Sequence, residues 1–286
     1  MEVIWATMMP PAIMPSRETI VKAAYAAFVK TWVEEGMPPP DEIDYETEKD
    51  LSPRTPAQAL EMIVAYVDYR QKNAADFEVL AIEKTFAVPL DPNDHTLFYI
   101  GKIDKIVKRR GKIIGIEHKT TKAYKKNGPF RGDFVDSFSP NSQVDGYLYA
   151  LHMMFPGRVG GVWVDAALVH KTEEGFMFIP VERQLQHLDG WLWEVRDWIA
   201  KIEADTEKAG TAKASDPYLT AFAKNTNSCW DFNSMCPYMD LCKSWPNPKD
   251  KPIPASFTAK RWDPLEFIGP IEGLTDGQEE RVCTTE

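Results

Sequence analysis

The sequence predicts an α/β (α+β) protein, a mixed central sheet flanked by helices and followed by a cysteine-containing C-terminal segment. Three observations lead there. Helical spacing of apolar residues dominates the chain before residue 79. The pattern then changes to runs rich in Val, Ile, Phe and Thr, and a long amphipathic stretch returns after residue 181.

The elements follow in order. Residues 17–33 place Ile20, Ala24, Ala27, Phe28 and Val33 near helical spacing, with Pro15-Ser16 as a start signal. The stretch from Gly36 to Pro56 inclusive holds five prolines and the acids Asp41, Glu42, Asp44, Glu46, Glu48 and Asp50, which read as a solvated loop. Residues 56–73 form a second amphipathic helix through Leu60, Ile63, Val64 and Val67. Residues 79–90, 96–107 and 112–119 read as three strands, bounded by Asp-Pro-Asn-Asp and by Arg109-Arg110-Gly111. Residues 139–155 are helical, 161–171 and 176–181 form a hairpin, and 182–204 form a long helix. On that helix Leu188, Leu192, Val195 and Ile199 make one stripe, which assigns Trp191, Trp193 and Trp198 to core and boundary packing. The expected organisation is a helical segment at 1–78, a core at 79–246, and a proline-rich, extended or disordered tail at 247–286.

The 286 residues carry 43 Asp+Glu against 33 Lys+Arg, a net charge of -10, with 44% hydrophobic residues. This is the composition of a folded globular protein. No apolar run reaches the ~18 residues of a membrane span, so no membrane association is expected. The opening Met1–Pro11 is interrupted by prolines and lacks a basic region, which argues against a signal peptide. A cytoplasmic protein is the resulting expectation, and in a reducing compartment a cysteine cluster reads first as metal-binding. The acidic total excludes a protein that coats nucleic acid through overall charge, but not one with a local basic groove. Between Gly101 and Asp133 there are eleven Lys+Arg and three acids, a net +8. Lys102, Lys122, Lys125, Lys126 and Arg131 in this window are candidate phosphate contacts.

Asp104 sits within an Ile/Val-rich strand, where an unpaired carboxylate would cost several kcal/mol. Glu117 and Lys119 are two apart on the next strand and share a face. Pairing across the Arg109-Arg110-Gly111 turn brings Glu117 roughly opposite Asp104. Two carboxylates beside a lysine suit Mg²⁺ or Mn²⁺, with the His118 backbone carbonyl as a further oxygen ligand. Lys119 would orient or help deprotonate an attacking water and stabilise charge on a phosphoryl group. An ordinary cross-strand ion pair on a wet sheet face is the alternative.

The arrangement Asp104-x₁₂-Glu117-x-Lys119 resembles the PD-(D/E)XK nuclease superfamily, in particular its RecB-type, CRISPR-associated and phage exonuclease-like branch. Gln143-Val-Asp-Gly-Tyr147 is similar to the Gln-x-x-x-Tyr motif of RecB-type nucleases, and its two ends lie one helical turn apart. The resemblance implies a restriction-endonuclease-like core. It also implies that Gln143 and Tyr147 shape the catalytic site, and that Glu83 is an acidic residue near the metals. Some relatives carry an iron–sulfur staple with three cysteines after the core, as Cys229, Cys236 and Cys242 stand here. Zn²⁺ is the other metal suited to such thiolates, and buried structural cysteines are the metal-free alternative. The relatives' fourth cysteine and helical histidine lie near the N-terminus. Here no cysteine precedes Cys229, the first histidine is His95 and the remaining thiol is Cys283, which suggests a shortened start or a lineage without those ligands.

The function implied is a metal-dependent deoxyribonuclease of exonuclease type. It would act on DNA ends in recombination, repair or phage replication, with recombination or replication proteins as candidate partners. The competing reading is a non-catalytic nucleic-acid-binding or interaction module that keeps the nuclease fold.

Overall fold

The computed structural model describes residues 15–72, 74–91, 94–122, 128–170, 172–231 and 234–261. The opening segment read against a signal peptide, Lys125, Lys126, Cys283 and the tail beyond 261 lie outside the described residues. The chain falls into two compact units, one running through Leu188 and one over Asp189–Asp263.

Helix α1, Arg17–Glu34, starts where the Ser16 hydroxyl accepts the Thr19 N–H at 3.2 Å. It buries Ile20 and Ala24. The stretch expected as a loop contains helix α2, Tyr45–Leu51. Asp44 caps it by accepting the Thr47 N–H at 2.8 Å, and Glu46 and Glu48 lie in its first turn. The same acids that read as solvated loop thus complement a helix N-terminus. Helix α3, Pro56–Gln71, has Thr55 as cap and buries Tyr66, Val67 and Arg70. Leu60, expected on its apolar stripe, is 37% exposed. The Arg17 guanidinium clasps the Asp68 carboxylate and ties α1 to α3.

The sheet has five strands in the order β1 (Glu78–Asp91), β2 (Asp94–Arg109), β3 (Lys112–Thr121), β4 (Val159–Leu168) and β5 (Phe176–Val181). Neighbours are antiparallel except β3 and β4, which are parallel. The β2–β3 turn is Arg110-Gly111, both at positive φ, the conformation a tight hairpin of this twist requires. The parallel step needs a crossover. Helices α4 (Gly132–Asp136) and α5 (Ser142–Met154) lie within it, the latter capped by Asn141 and not begun at Ser139 as expected. One sheet face packs Val107, Ile114 and Ile116 with Phe77, Trp163 and Phe178. The other meets α5 at Gly115, where an added Cβ would lie 2.9 Å from Leu151 Cδ1. A side chain there would have to displace the buried Leu151 side chain and would crowd Val162 Cγ2 at 3.3 Å.

The second unit holds most of helix α6, Leu185–Thr211, a short hairpin of β6 (Trp230–Asp231) and β7 (Ser234–Met235), and helix α7, Met239–Ser244. Trp191 is buried, but Trp193 and Trp198 are 67% and 65% exposed, contrary to their expected packing role. Trp193 lies ~140° round the helix from Leu188, at about 100° per residue, so it points away from the apolar stripe.

Candidate active site

Registry creates the site. β2 and β3 pair as far as Lys105 with Ile116, so one step further Asp104 falls opposite Glu117. On its other side, Ile82 pairs with Lys105 and Lys84 with Ile103, which places Glu83 opposite Asp104 as well. One row therefore carries Glu83, Asp104 and Glu117 on three adjacent strands. Glu83 has φ 50°, a left-handed conformation that is strained for glutamate. Its carboxylate pairs with the Lys102 ammonium.

Asp104 accepts the His118 backbone N–H at 2.8 Å. Glu117 is nearly buried, and one oxygen pairs with Lys119 Nζ at 2.6 Å. Its other oxygen, Oε2, is buried without a hydrogen-bond partner among the described residues. Burial pushes the Glu117 carboxyl above its ordinary range. The hydrogen bond from Lys119 opposes that shift, and the Asp104 charge reinforces it. Lys119 Nζ also donates to Gln143 Oε1 at 3.0 Å. Gln143 Nε2 donates to the Tyr147 hydroxyl at 3.2 Å, and that hydroxyl donates to the Lys102 carbonyl at 2.9 Å. Burial, then the charge of Glu117, raises the Tyr147 phenol above its usual value and holds Tyr99 at about 12. Both remain neutral donors at physiological pH.

The orphan Glu117 oxygen and the adjacent Asp104 carboxylate fit a hard divalent cation, because two carboxylates plus water suffice for Mg²⁺. Glu83 is not gathered with them, since no group of three or more His, Cys, Asp or Glu among the described residues could hold a metal ion. The same holds for Cys229, Cys236 and Cys242. They are free thiols, Cys242 exposed, and as placed they form no ligand set for an iron–sulfur cluster or Zn²⁺.

The basic window is less positive around the site than its sequence suggests. Lys108 pairs with Glu78, Arg109 with Asp76 and Arg131 with Asp133, while Lys105 is fully buried. Arg109 is also five residues along the strand from Asp104, ~17 Å at about 3.4 Å per residue. Lys102 and Lys119 already face carboxylates, and Lys122 is exposed at the end of β3.

A buried polar network behind His118 went unread in the sequence. Asp165 on β4 lies beside His118 in register, receives the Tyr66 hydroxyl and pairs with Arg70. His118 Nε2 lies 3.0 Å from Lys105 Nζ. Burial, then the charges of Lys105 and Arg70, depress the imidazole to about 2, so it is neutral. The signal was available, because Asp165 stands in Val162-Trp-Val-Asp-Ala-Ala-Leu168 just as Asp104 stands among Ile and Val.

Sheet order, crossover helix and the row of carboxylates define a restriction-endonuclease-like core. The chain belongs to the PD-(D/E)XK nuclease superfamily, whose sequence model matches residues 12–243. Membership makes it a nuclease of a superfamily that generally uses divalent metals such as Mg²⁺ or Mn²⁺, and implies a nucleic-acid substrate. Among solved structures it is similar to a Eubacterium rectale protein provisionally named an exonuclease. Identity there is 14%, coverage 77% of this chain and 80% of that one, and the TM-score 0.35. It is also similar to SSO0001, at 17% identity, 53% and 67% coverage, and a TM-score of 0.25. No curated protein matches.

Proposed function

We propose that the chain is a Mg²⁺- or Mn²⁺-dependent deoxyribonuclease of exonuclease type, of the RecB-type, CRISPR-associated or phage branch. Its setting would be cytoplasmic, in recombination, repair or phage replication. The carrying observation is the partnerless buried oxygen of Glu117 beside Asp104, with Lys119 bound to the same carboxylate. When bound, the cation supplies Lewis-acid polarisation of the scissile phosphate and acidifies a water.

The chain's own residues do the rest. Asp104, fixed by the His118 N–H, and Glu117 would hold the cation, with the His118 carbonyl as a further oxygen. Lys119 orients the attacking water, helps remove its proton and offsets charge developing on the phosphoryl oxygens. Gln143 fixes Lys119 Nζ, and Tyr147 fixes Gln143 against the β2 backbone. Glu83, through Lys102, shapes the adjoining edge of the site. Lys102, Lys122, Lys125, Lys126 and Arg131 are the proposed DNA contacts. Among the described residues no helix is long and apolar enough to cross a membrane.

The test is incubation of linear double- and single-stranded DNA with Mg²⁺ or Mn²⁺, comparing wild type with Lys119→Ala and Asp104→Ala. Degradation by wild type alone is expected. No degradation under any condition removes the enzyme reading in favour of a binding module, and degradation that persists in both variants removes this site. Metal content and absorbance of anaerobically purified protein test thiolate-held Zn²⁺ or iron–sulfur at Cys229, Cys236 and Cys242. A colourless, metal-free, folded protein makes those cysteines structural.

A further inference from the structure

Between α1, α3 and the ends of β3 and β4 lies a cavity of about 630 Å³ that reaches Asp104 and His118. This volume is in the range of small-ligand sites, about 300–1,000 Å³. Its walls are mostly apolar. Phe28 and Trp32 lie one turn apart on α1 with ring centroids 5.7 Å apart, and both line it. The Trp32 indole N–H donates to the Pro38 carbonyl at 2.7 Å, which fixes the orientation of that ring.

A second, polar hollow of about 300 Å³ shares Pro53, Arg54, Thr120 and Val169 with the first and adds Lys122. The side chains of Arg54 and Lys122 make no hydrogen bond or ion pair among the described residues. Asp50 is the single acid among the described residues at that rim. An apolar slot lined by the tilted rings of Phe28 and Trp32 therefore opens into a pocket with two cations uncommitted among the described residues and hydroxyls from Ser52, Thr120 and Thr121, beside a candidate metal ligand.

We propose that this cleft takes one unpaired nucleotide of the substrate strand. Its base lies against Phe28 and Trp32, and its phosphate lies between Arg54 and Lys122. Stacking on aromatic rings accepts any base, and lysine or arginine neutralises the backbone, so the recognition is independent of sequence. A base still stacked in a duplex cannot offer its face to the slot, so the cleft selects a single strand or a frayed end. The proposal rests on the nuclease reading and names the form of its substrate.

The test measures binding of fluorescein-labelled oligo-dT by the full chain, in EDTA so that turnover is blocked, with a blunt hairpin duplex as comparison. Oligo-dT is expected to bind more tightly than the duplex. Trp32→Ala should weaken oligo-dT binding by about tenfold. Arg54→Ala, on an exposed residue whose loss leaves the fold intact, should lower the slope of log Kd against log salt by about one. Unchanged Kd and salt slope in both variants overturn the cleft. Self-association of wild type that is lost in Trp32→Ala, with DNA binding intact, also overturns it, because the surface then serves a second copy of the chain. Failure of the two readings is separable. Wild type that binds through Trp32 and Arg54 yet never cleaves with Mg²⁺ or Mn²⁺ upholds the cleft and removes the nuclease, whereas cleavage that both variants retain removes the cleft alone.

Discussion

The backbone N–H of His118 donates to the Asp104 carboxylate at 2.8 Å, which anchors one candidate ligand to the strand that carries the other. Asp104→Asn keeps an oxygen able to accept that bond but loses the charge. We expect cleavage to be abolished with the melting temperature nearly unchanged. Asp104→Ala should in addition cost about 1–3 kcal/mol, the usual penalty for stranding a buried donor. Thermal melts beside a nuclease assay separate the two effects.

Glu117 gives a pH prediction. Its carboxyl is raised in the folded state, so between the ordinary carboxylate range and the raised value the native chain holds more protons than the unfolded chain. Stability in EDTA should therefore fall as pH rises through that window. Glu117→Gln should flatten the dependence. Divalent cation should raise the melting temperature of wild type at neutral pH and leave Glu117→Gln unmoved.

Lys119 is held by Glu117 and Gln143, so its removal is expected to show in rate more than in fold. Lys119→Met should reduce cleavage by about 10²–10⁴, the range for a lost proton-transfer or charge-stabilising group. Gln143→Ala should act in the same direction but more weakly, because the ammonium stays and only its aim is loosened. Single-turnover rates distinguish them.

The ion pair of Arg70 and Asp165 is fully buried, with relative exposures of 1% and 0%. Asp165→Ala strands the guanidinium and should destabilise the chain by about 3–5 kcal/mol in urea unfolding. Tyr66→Phe removes a single bond to the same carboxylate and should cost only about 1 kcal/mol.

Asp104, Glu117 and Lys119 were legible because strand alternation and a tight turn are local rules, and a carboxylate among isoleucines advertises its exception. Gln143 and Tyr147 came from the resemblance to a Gln-x-x-x-Tyr motif, and one helical turn between them is what lets both reach the same side of the sheet. Asp165 carried the same signal as Asp104, but its partnership with Arg70 was not legible, since it spans two elements far apart in sequence. Helix α2 was hidden for a different reason: its first turn is built from the acids that a composition reading assigns to solvent. The charge near the site was overstated because Lys108 and Arg109 find acids at Glu78 and Asp76, outside the window, pairings that a windowed count cannot see.

The turn at Arg110-Gly111 sets more than a change of direction. Asp104 and Glu117 belong to its two arms, so the spacing between them is a matter of parity. Inserting one residue into either arm would send one carboxylate to the opposite face, while inserting two would restore the face but slide the pair out of step. Length change is therefore better tolerated in the β3–β4 crossover than in this hairpin, and in homologous chains the gaps should collect in the former.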